Sequence, residues 1–372
     1  MLEQIFDPHN LPFWILIASI IVVVIGMVSR PFLTHAKFAY SNALFEAIGN
    51  PYIADKELSN IVESKDLIAF KEVINSSKDY NVVGEDTYSV QKSLDDNFIQ
   101  TIEMMRKDSS KKMKDFYDMY LEKIDIYLVK NELKKLMLGK AEEVEIDNAI
   151  LPSTKEFLSK LKDAGKENLP EILTSYGFEK ELIDVLSEAS SDILTIDVEI
   201  DKYIINKFRQ VEVPYKCEQA KQSFVKSLID IMNIKNILRA KQLGYDVATC
   251  KKLSLGEGRE IATWKFNEMA EVDQVSQVIS ILEGASYFNV LKDSIEQCNK
   301  EGSVQVLENA LDGFFLKIVK NISLQNFLNL GPTLRFLVSK EFEIKNLKVI
   351  AKGIGENLSS DFIKGLLIRE AG

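Results

Sequence analysis

The chain has 372 residues, 46% hydrophobic and 27% charged, a composition typical of folded proteins with room for two or three domains. Its net charge of −10, without a long lysine or arginine run, argues against nucleic-acid binding as the main activity. Three cysteines without a CxxC pair argue against a disulfide framework. His9 and His35 are the two histidines, which leaves little room for histidine catalysis or zinc binding.

The first element in chain order is an apolar run without a charged side chain, "LPFWILIASIIVVVIGMV" at Leu11–Val28. A helix of this length spans about 27 Å, close to the hydrocarbon thickness of a bilayer. A secretory signal would begin with basic residues, whereas Glu3 and Asp7 precede this run, and a buried core helix is rarely apolar on every face. The run predicts a single transmembrane anchor. Arg30 and Lys37 follow it, which predicts an outside N-terminus and a large cytoplasmic C-terminal body at the cell membrane.

The body is predicted to be all-α. No proline occurs between Pro51 and Pro152 or between Pro214 and Pro332, and an interior proline costs a helix about 3 kcal/mol. Apolar residues also recur at helical spacing, as they do at Phe116, Tyr120, Ile124, Tyr127 and Leu128.

One short pattern occurs three times in the body. The copies are "IDIYLVKNELKKLMLG" (Ile124–Gly139), "IDIMNIKNILRAKQLG" (Ile229–Gly244) and "SKEFEIKNLKVIAKG" (Ser339–Gly353). Their Lys-Asn pairs recur after 105 and then 110 residues. A second marker, an aspartate two residues before an aromatic, recurs after 105 and 111 residues at Asp96, Asp201 and Asp312.

Two markers with nearly the same period indicate an internal triplication. The period is too long for solenoid repeats, so each unit is predicted to be a small helical domain, at residues 36–150, 151–248 and 249–372. The third copy matches least well, because Lys340 stands where the others have Asp125 and Asp230. Three such units can close around an axis or line up as an arc, and either arrangement makes a concave surface.

The motif residues are candidates for an interface, with internal packing and capping as the alternative. These candidates are Asp125, Lys130, Asn131, Asp230, Lys235, Asn236, Glu341, Lys345 and Asn346.

Residues that carry chemistry are hard to find in this sequence. "LGEGRE" (Leu255–Glu260) and "KGIGEN" (Lys352–Asn357) complete no phosphate-binding pattern, so their glycines are predicted to end helices. "LDDNF" (Leu94–Phe98) has an aspartate pair that the other two copies do not keep. A helix start or a surface position is therefore expected there, rather than a metal site. No catalytic residue, cofactor site or metal site is predicted, and an aspartate-rich all-α enzyme is the most distant alternative.

Several stretches together resemble the C subunit of archaeal A-type and bacterial V-type rotary ATPases, which is related to the eukaryotic d subunit. They are "SLIDIMNIKNILRAKQLGYD" (Ser227–Asp246), "MYLEKIDIYLVKNELKKLMLG" (Met119–Gly139), "LVSKEFEIKNLKVIAKGIGENLSSDFIKGLL" (Leu337–Leu367) and "FAYSNALFEA" (Phe38–Ala47). The resemblance covers about residues 37–370. In the last stretch, Leu44 and Phe45 replace the arginines that are usual in the family.

The resemblance implies a pseudo-three-fold funnel of three similar helical domains on the cytoplasmic face of a proteolipid ring. Such a protein is a non-catalytic rotor part that seats the central shaft, made of the D and F subunits, and couples proton or sodium flow to ATP synthesis or hydrolysis. The anchor at Leu11–Val28 departs from the soluble form of the family, and we hypothesise that it enters the ring's central hole. A membrane-anchored helical adaptor for another cytoplasmic partner is the alternative function.

Overall fold

A computed structural model describes residues 9, 11–76, 80–140, 143–164, 168–187 and 193–371. Every regular element in this part of the chain is helical, which confirms the all-α prediction. The helices are α1 (Leu11–Ile48), α2 (Asp55–Val62), α3 (Leu67–Ser76), α4 (Thr87–Asp108), α5 (Lys114–Met137), α6 (Pro152–Ala164), α7 (Leu169–Tyr176), α8 (Lys180–Ser187), α9 (Ile193–Gln210), α10 (Glu218–Gln242), α11 (Val247–Lys252), α12 (Thr263–Glu271), α13 (Val275–Ile281), α14 (Phe288–Glu301), α15 (Gln305–Gln325), α16 (Gly331–Gly355) and α17 (Ser360–Leu366), with a 3₁₀ turn at Lys111–Met113.

Helix α1 joins the apolar run to the body without a break. It has 38 residues and continues through Pro31, so it is about 57 Å long. The predicted helix at Leu11–Val28 is its first half, which is apolar and outside the core. The second half is buried along one face, where the Phe45 ring stacks on Phe336 with centroids 5.2 Å apart. The apolar run and the first helix of the body are therefore one continuous helix.

Six of the described helices pack in a closed circuit. Helix α4 contacts α5, α5 contacts α9, α9 contacts α10, α10 contacts α15, α15 contacts α16, and α16 returns to α4. The motif copies lie on α5, α10 and α16, which are alternate members of this circuit. The shorter helices pack against circuit members, as α6 does against α5 and α13 against α10.

Ion pairs establish the relative direction of neighbouring helices. Lys130 pairs with Asp201 while Lys134, one turn later on α5, pairs with Asp197, one turn earlier on α9. Helices α5 and α9 are therefore antiparallel, and the same argument from Lys235–Asp312 and Arg239–Glu308 makes α10 and α15 antiparallel. Short turns join α4 to α5, α9 to α10 and α15 to α16. All three turns consequently lie at the same end of the circuit.

An aromatic belt runs around most of the circuit, with one ring from each helix. The members are Phe98 (α4), Tyr120 (α5), Phe208 (α9), Phe224 (α10), Phe315 (α15) and Phe342 (α16), with successive centroids 6.5, 5.9, 6.4, 5.8 and 6.5 Å apart. Such spacings allow edge-to-face and tilted contacts, which stabilise by about 0.5–1.5 kcal/mol per pair beyond the buried area. The described rings do not connect Phe342 back to Phe98, so the belt is open between α16 and α4.

The ends of α5, α10 and α16 are not equivalent. Gly139 and Gly244 follow α5 and α10 with φ of 78° and 73°, a left-handed conformation that suits glycine. Helix α16 runs ten residues past its Lys-Asn lysine, against seven in the other two, and is closed by Asn357 with φ of 56°. The prediction that both "KGIGEN" glycines end a helix is wrong for Gly353, which lies within α16 and packs on the Ile363 side chain.

Candidate functional site

A cavity of about 370 Å³ lies inside the circuit, between α5, α9, α10, α15 and α16. Five of the nine predicted interface residues line it: Lys130, Lys235, Asn236, Glu341 and Lys345. Its charged lining has five basic and three acidic side chains, namely Lys123, Lys130, Lys235, Arg239, Lys345, Asp201, Asp312 and Glu341. The cavity therefore carries an excess of positive charge in a chain that is acidic as a whole.

The first junction, between α5 and α9, contains two lysine–aspartate pairs. The Nζ of Lys130 lies 2.8 Å from Oδ1 of Asp201, and the Nζ of Lys134 lies 2.8 Å from Oδ1 of Asp197. Burial raises the pKa of Asp201, with a smaller contribution from Asp197, and the opposing charge of Lys130 does not cancel this shift. The Nζ of Lys130 also lies 3.7 Å from Oδ1 of Asp197, so the two lysines and two aspartates of the first junction form one linked cluster in which Asp201 has a single lysine partner.

The second junction, between α10 and α15, repeats this arrangement with an extra cation. The Nζ of Lys235 lies 2.5 Å from Oδ1 of Asp312, and Arg239 donates two hydrogen bonds of 2.6 Å to Glu308. The Nζ of Lys345, from α16, lies 3.3 Å from Oδ2 of Asp312. Burial alone would raise the pKa of Asp312, but the two lysine charges outweigh it and hold this pKa below its usual value. Burial and the like charge of Lys345 lower the pKa of Lys235.

Glu341 connects α16 to α5 across the cavity. It accepts hydrogen bonds from the Nζ of Lys123 at 2.7 and 2.8 Å and from the hydroxyl of Tyr120 at 2.5 Å. Burial would raise the pKa of Glu341, but the Lys123 charge and these hydrogen bonds hold it below its usual value. Lys123 also lies over the Tyr120 ring, 4.5 Å from its centroid, so this corner of the cavity combines an ion pair with a cation–π contact.

The buried motif aspartates face away from the cavity and hold the loops that follow their helices. Asp125 accepts the backbone N–H groups of residues 150–151 at 2.8 Å, and Asp230 accepts those of residues 259–261 at 2.8 to 3.0 Å. Burial raises the pKa of both carboxyl groups despite these hydrogen bonds. Lys340, at the matching place of the third copy, instead pairs with a glutamate of its own helix at 2.8 Å.

The motif asparagines divide differently, with the second and third copies alike and the first one distinct. Asn236 donates to the carbonyl of Leu253 at 3.3 Å, and Asn346 exchanges hydrogen bonds of 2.8 and 2.9 Å with the backbone of Ile368. Both are buried and fasten the segment behind their helix, whereas Asn131 is exposed. These positions show why a Lys-Asn pair recurs: the lysine and the asparagine point to different sides of the helix.

The "LGEGRE" loop wraps around an internal carboxylate. Its N–H groups at residues 259–261 point at Asp230, in the way that phosphate-binding loops point at a phosphate. A Cβ on Gly258 would lie 1.8 Å from Oδ1 of Asp230, so only glycine allows this approach. The prediction that this glycine ends a helix is wrong, since it brings the loop onto Asp230.

Of the two places expected for "LDDNF", a helix start is wrong, because the segment lies in the middle of α4, and a surface position is confirmed for Asp96. Asp96 is exposed there, whereas Asp201 and Asp312, its counterparts, are buried in mid-helix at the junctions. Asp95 pairs with Lys348 of α16 at 2.5 Å. Within the described residues, no group of three or more His, Cys, Asp or Glu side chains is placed to hold a metal ion.

Sequence reasoning missed the second ion pair of each junction. Lys134 and Arg239 lie 105 residues apart, and their partners Asp197 and Glu308 lie 111 apart. These are the same spacings as those of the two markers. A search for opposite charges four residues after each motif lysine and four residues before each marker aspartate would therefore have found these second ion pairs.

These features define a helical protein whose central surface is built from paired charges across helix junctions. The model of the ATP synthase (C/AC39) subunit family matches residues 41–366, and the chain belongs to this family.

The curated relatives share nearly the whole chain. The A-type ATP synthase C subunit of Methanobrevibacter smithii is 31% identical, with 91% of each chain covered. The A-type ATP synthase C subunits of Methanocaldococcus jannaschii and Pyrococcus horikoshii are 30% and 25% identical, over 93% and 90% of this chain and 90% of each relative. The family resemblance read from the motifs is thus confirmed.

Proposed function

We propose that this chain is a non-catalytic central-stalk subunit of an A/V-type ATP synthase, which couples the central shaft to the membrane proteolipid ring. The observation that carries the proposal is the closed circuit of six helices around a charged cavity. A rotor coupler must join a narrow shaft to a wider ring and transmit torque without slipping. A closed circuit held by ion pairs, and by aromatic contacts around most of its length, is suited to that load.

The three motif units are proposed to be similar domains at residues 36–150, 151–248 and 249–372, arranged with pseudo-three-fold symmetry as a funnel. Support comes from the two junctions that repeat the same ion-pair geometry at spacings of 105 and 111 residues. The central shaft, made of the D and F subunits in this family, would seat at the cavity. Lys345 is the best-placed contact residue, since its side chain is 56% exposed there.

Helix α1 is proposed to cross the membrane once, with the body on the cytoplasmic side. Its apolar half is long enough to cross a bilayer and packs on nothing in the described core. Because the helix continues rigidly into the body, we propose that it lies in the central hole of the ring and keeps the funnel on the rotation axis. A peripheral position would carry the helix past the stator at each turn.

The experiment is to isolate the chain from native membranes in mild detergent and identify its companions by mass spectrometry. Stoichiometric proteolipid and shaft proteins are expected. Recovery of the chain alone, or with unrelated cytoplasmic proteins, would overturn the proposal in favour of an anchored adaptor.

The cavity contact is tested by comparing Lys345→Glu with Lys160→Glu, since both side chains are about half exposed and each makes one ion pair. We expect the shaft proteins to be lost with Lys345→Glu and retained with Lys160→Glu. The neutral Lys345→Gln variant separates lost charge from new repulsion by the nearby carboxylates. Equal retention by all three variants would contradict a shaft seat at the cavity.

A further inference from the structure

Short turns between circuit helices lie at the end of the body next to the apolar half of α1. The guanidinium of Arg30 lies 5.9 Å from the centroid of the Tyr215 ring, which belongs to the turn between α9 and α10. Asn42 donates to the carbonyl of Phe327 at 2.9 Å, in the turn between α15 and α16. Two of the three short turns therefore lie beside α1, at the level where the helix leaves the body.

The third turn, between α4 and α5, lies at the same end. The ring of Phe116, at the start of α5, packs 6.3 Å from that of Phe208, at the end of α9. This turn is strongly basic: residues 106–115 contain five basic and two acidic side chains, in a chain whose net charge is −10. Its exposed lysines make no ion pair with any described residue; they are Lys107, Lys111, Lys112 and Lys114.

Exposed aromatic and aliphatic side chains lie in the other two turns at this end. Tyr215 is 54% exposed, Phe327 47% and Leu328 57%. At the opposite end, Lys140 and Lys352 pair with Glu143 and Glu356, whereas Lys300, two residues before the Gly302 carbonyl that Gln242 contacts, makes no described ion pair. The end near α1 is distinguished by four such lysines within one turn and by its continuity with the apolar half of α1.

We propose that this end of the body, formed by the four lysines, Tyr215, Phe327 and Leu328, binds anionic lipid headgroups. The inference rests on the proposed membrane crossing of α1; with α1 in the ring's central hole, the headgroups concerned are those of the lipid that the ring encloses around α1. Unpaired lysines are attracted to anionic leaflets within a Debye length of about 8 Å, and tyrosine and phenylalanine suit the headgroup level. Continuity with the apolar half of α1 favours lipid over an acidic protein loop as the occupant.

The test uses the full chain, added from outside to preformed vesicles of phosphatidylcholine with or without phosphatidylglycerol. Lysines are dimethylated in pulses, and the rate at each position is read by mass spectrometry. We expect phosphatidylglycerol to slow modification of the four lysines at least about threefold at low salt, and high salt to remove the effect. Lys140 and Lys352, at the opposite end, serve as internal controls and should react at unchanged rates.

A double variant, Lys111→Glu with Lys112→Glu, should lose the protection of Lys107 and Lys114, while Lys140→Glu should keep it. Resistance of the vesicle-bound chain to an alkaline wash reports insertion of α1 separately. A chain that inserts but shows equal lysine rates in both lipids overturns the headgroup proposal and leaves the anchor intact. A chain that does not insert overturns both. Protection seen only in the complete assembly would assign this surface to a protein loop instead.

Discussion

The junctions α5–α9 and α10–α15 are held by different contacts from those of the third junction, α16–α4. At α5–α9 and α10–α15, two basic residues one turn apart reach two acidic residues one turn apart, and the aromatic belt runs through. At α16–α4 the belt is open, and the ion pair moves to Lys348 and Asp95. Lys345 pairs with Asp312 of α15 instead of with a residue of α4, and Asp96 is exposed.

The reason lies in the length of α16. Its extra turn brings Gly355 against the start of α4, where a Cβ would lie 2.0 Å from Oγ1 of Thr87. At this junction a close approach of the two helix backbones takes the place of the double ion pair found at the other two. The amide of Gln91 adds a hydrogen bond of 3.0 Å to the carbonyl of Lys348. The circuit of six helices thus has two junctions of one kind and a third of another.

The largest expected effect is at the carboxylate that two lysines share. Asp312→Asn leaves Lys235 buried without its anion and Lys345 without its partner, so the free energy of unfolding should fall by about 3–5 kcal/mol. Asp201→Asn should cost clearly less, because burial already disfavours that charge. Chemical denaturation in detergent, followed by circular dichroism, gives both values. Equal costs for the two variants would contradict the conclusion that Asp312 is held by two lysine charges at once.

The aromatic belt supplies the next prediction. Phe224→Leu removes ring contacts with Phe208 and Phe315, whereas Phe342→Leu removes the contact with Phe315 only, at the open end of the belt. With each pair contributing about 0.5–1.5 kcal/mol, the first variant should lose about 1 kcal/mol more than the second. The same denaturation experiment measures this difference. A larger loss for Phe342→Leu would mean that the third junction depends on its ring after all.

The two junction aspartates should respond to pH in opposite directions. The pKa of Asp312 lies below its usual value, so this carboxylate stabilises the fold above about pH 4 and loses that contribution as pH falls. The pKa of Asp201 is raised, so its contribution is greatest at low pH and declines as pH rises through the folded value. The cost of Asp312→Asn should therefore shrink on acidification, while that of Asp201→Asn grows.

This prediction is checked by denaturation of the wild type and both variants between neutral and acidic pH. Asp246→Asn is the reference outside the junctions: the hydrogen bonds from Thr249 to this cap of α11 lower the pKa of Asp246, so the cost of this variant should shrink on acidification, as that of Asp312→Asn should. Parallel pH profiles for the two junction variants would contradict the electrostatic difference between the junctions.

The smallest expected effect is at the third junction itself. Lys348 and Asp95 are both partly exposed, so Lys348→Ala should cost only about 0.5–1 kcal/mol. Lys130→Ala, at the buried pair of the first junction, should cost more because it leaves Asp201 without its cation. If Lys348→Ala were the more damaging change, closure of the circuit would depend on the ion pair rather than on helix approach.

The sequence predicted the elements that depend on local pattern. The apolar run predicted the first half of α1, and the two markers contain the lysines and aspartates that meet at the first two junctions, although the sequence did not show that they pair. The partner of Lys345 was not predictable in this way. By the spacing of the first two copies, Lys345 would meet Asp96. Helix α16 instead continues past Gly353 and packs on Thr87, and this tertiary contact changes which residues of α16 and α4 face each other. The role of Gly258 was hidden for the same reason, since only the folded structure brings Asp230 into its loop.

We propose that this closed circuit joins the shaft to the ring on the rotation axis. Electron cryo-microscopy of the detergent-solubilised assembly tests this arrangement most directly. We predict density for the six-helix circuit coaxial with the proteolipid ring, shaft density over the cavity beside Lys345, and α1 within the ring's hole. Density for the chain at the periphery of the complex, with a different protein between shaft and ring, would contradict it.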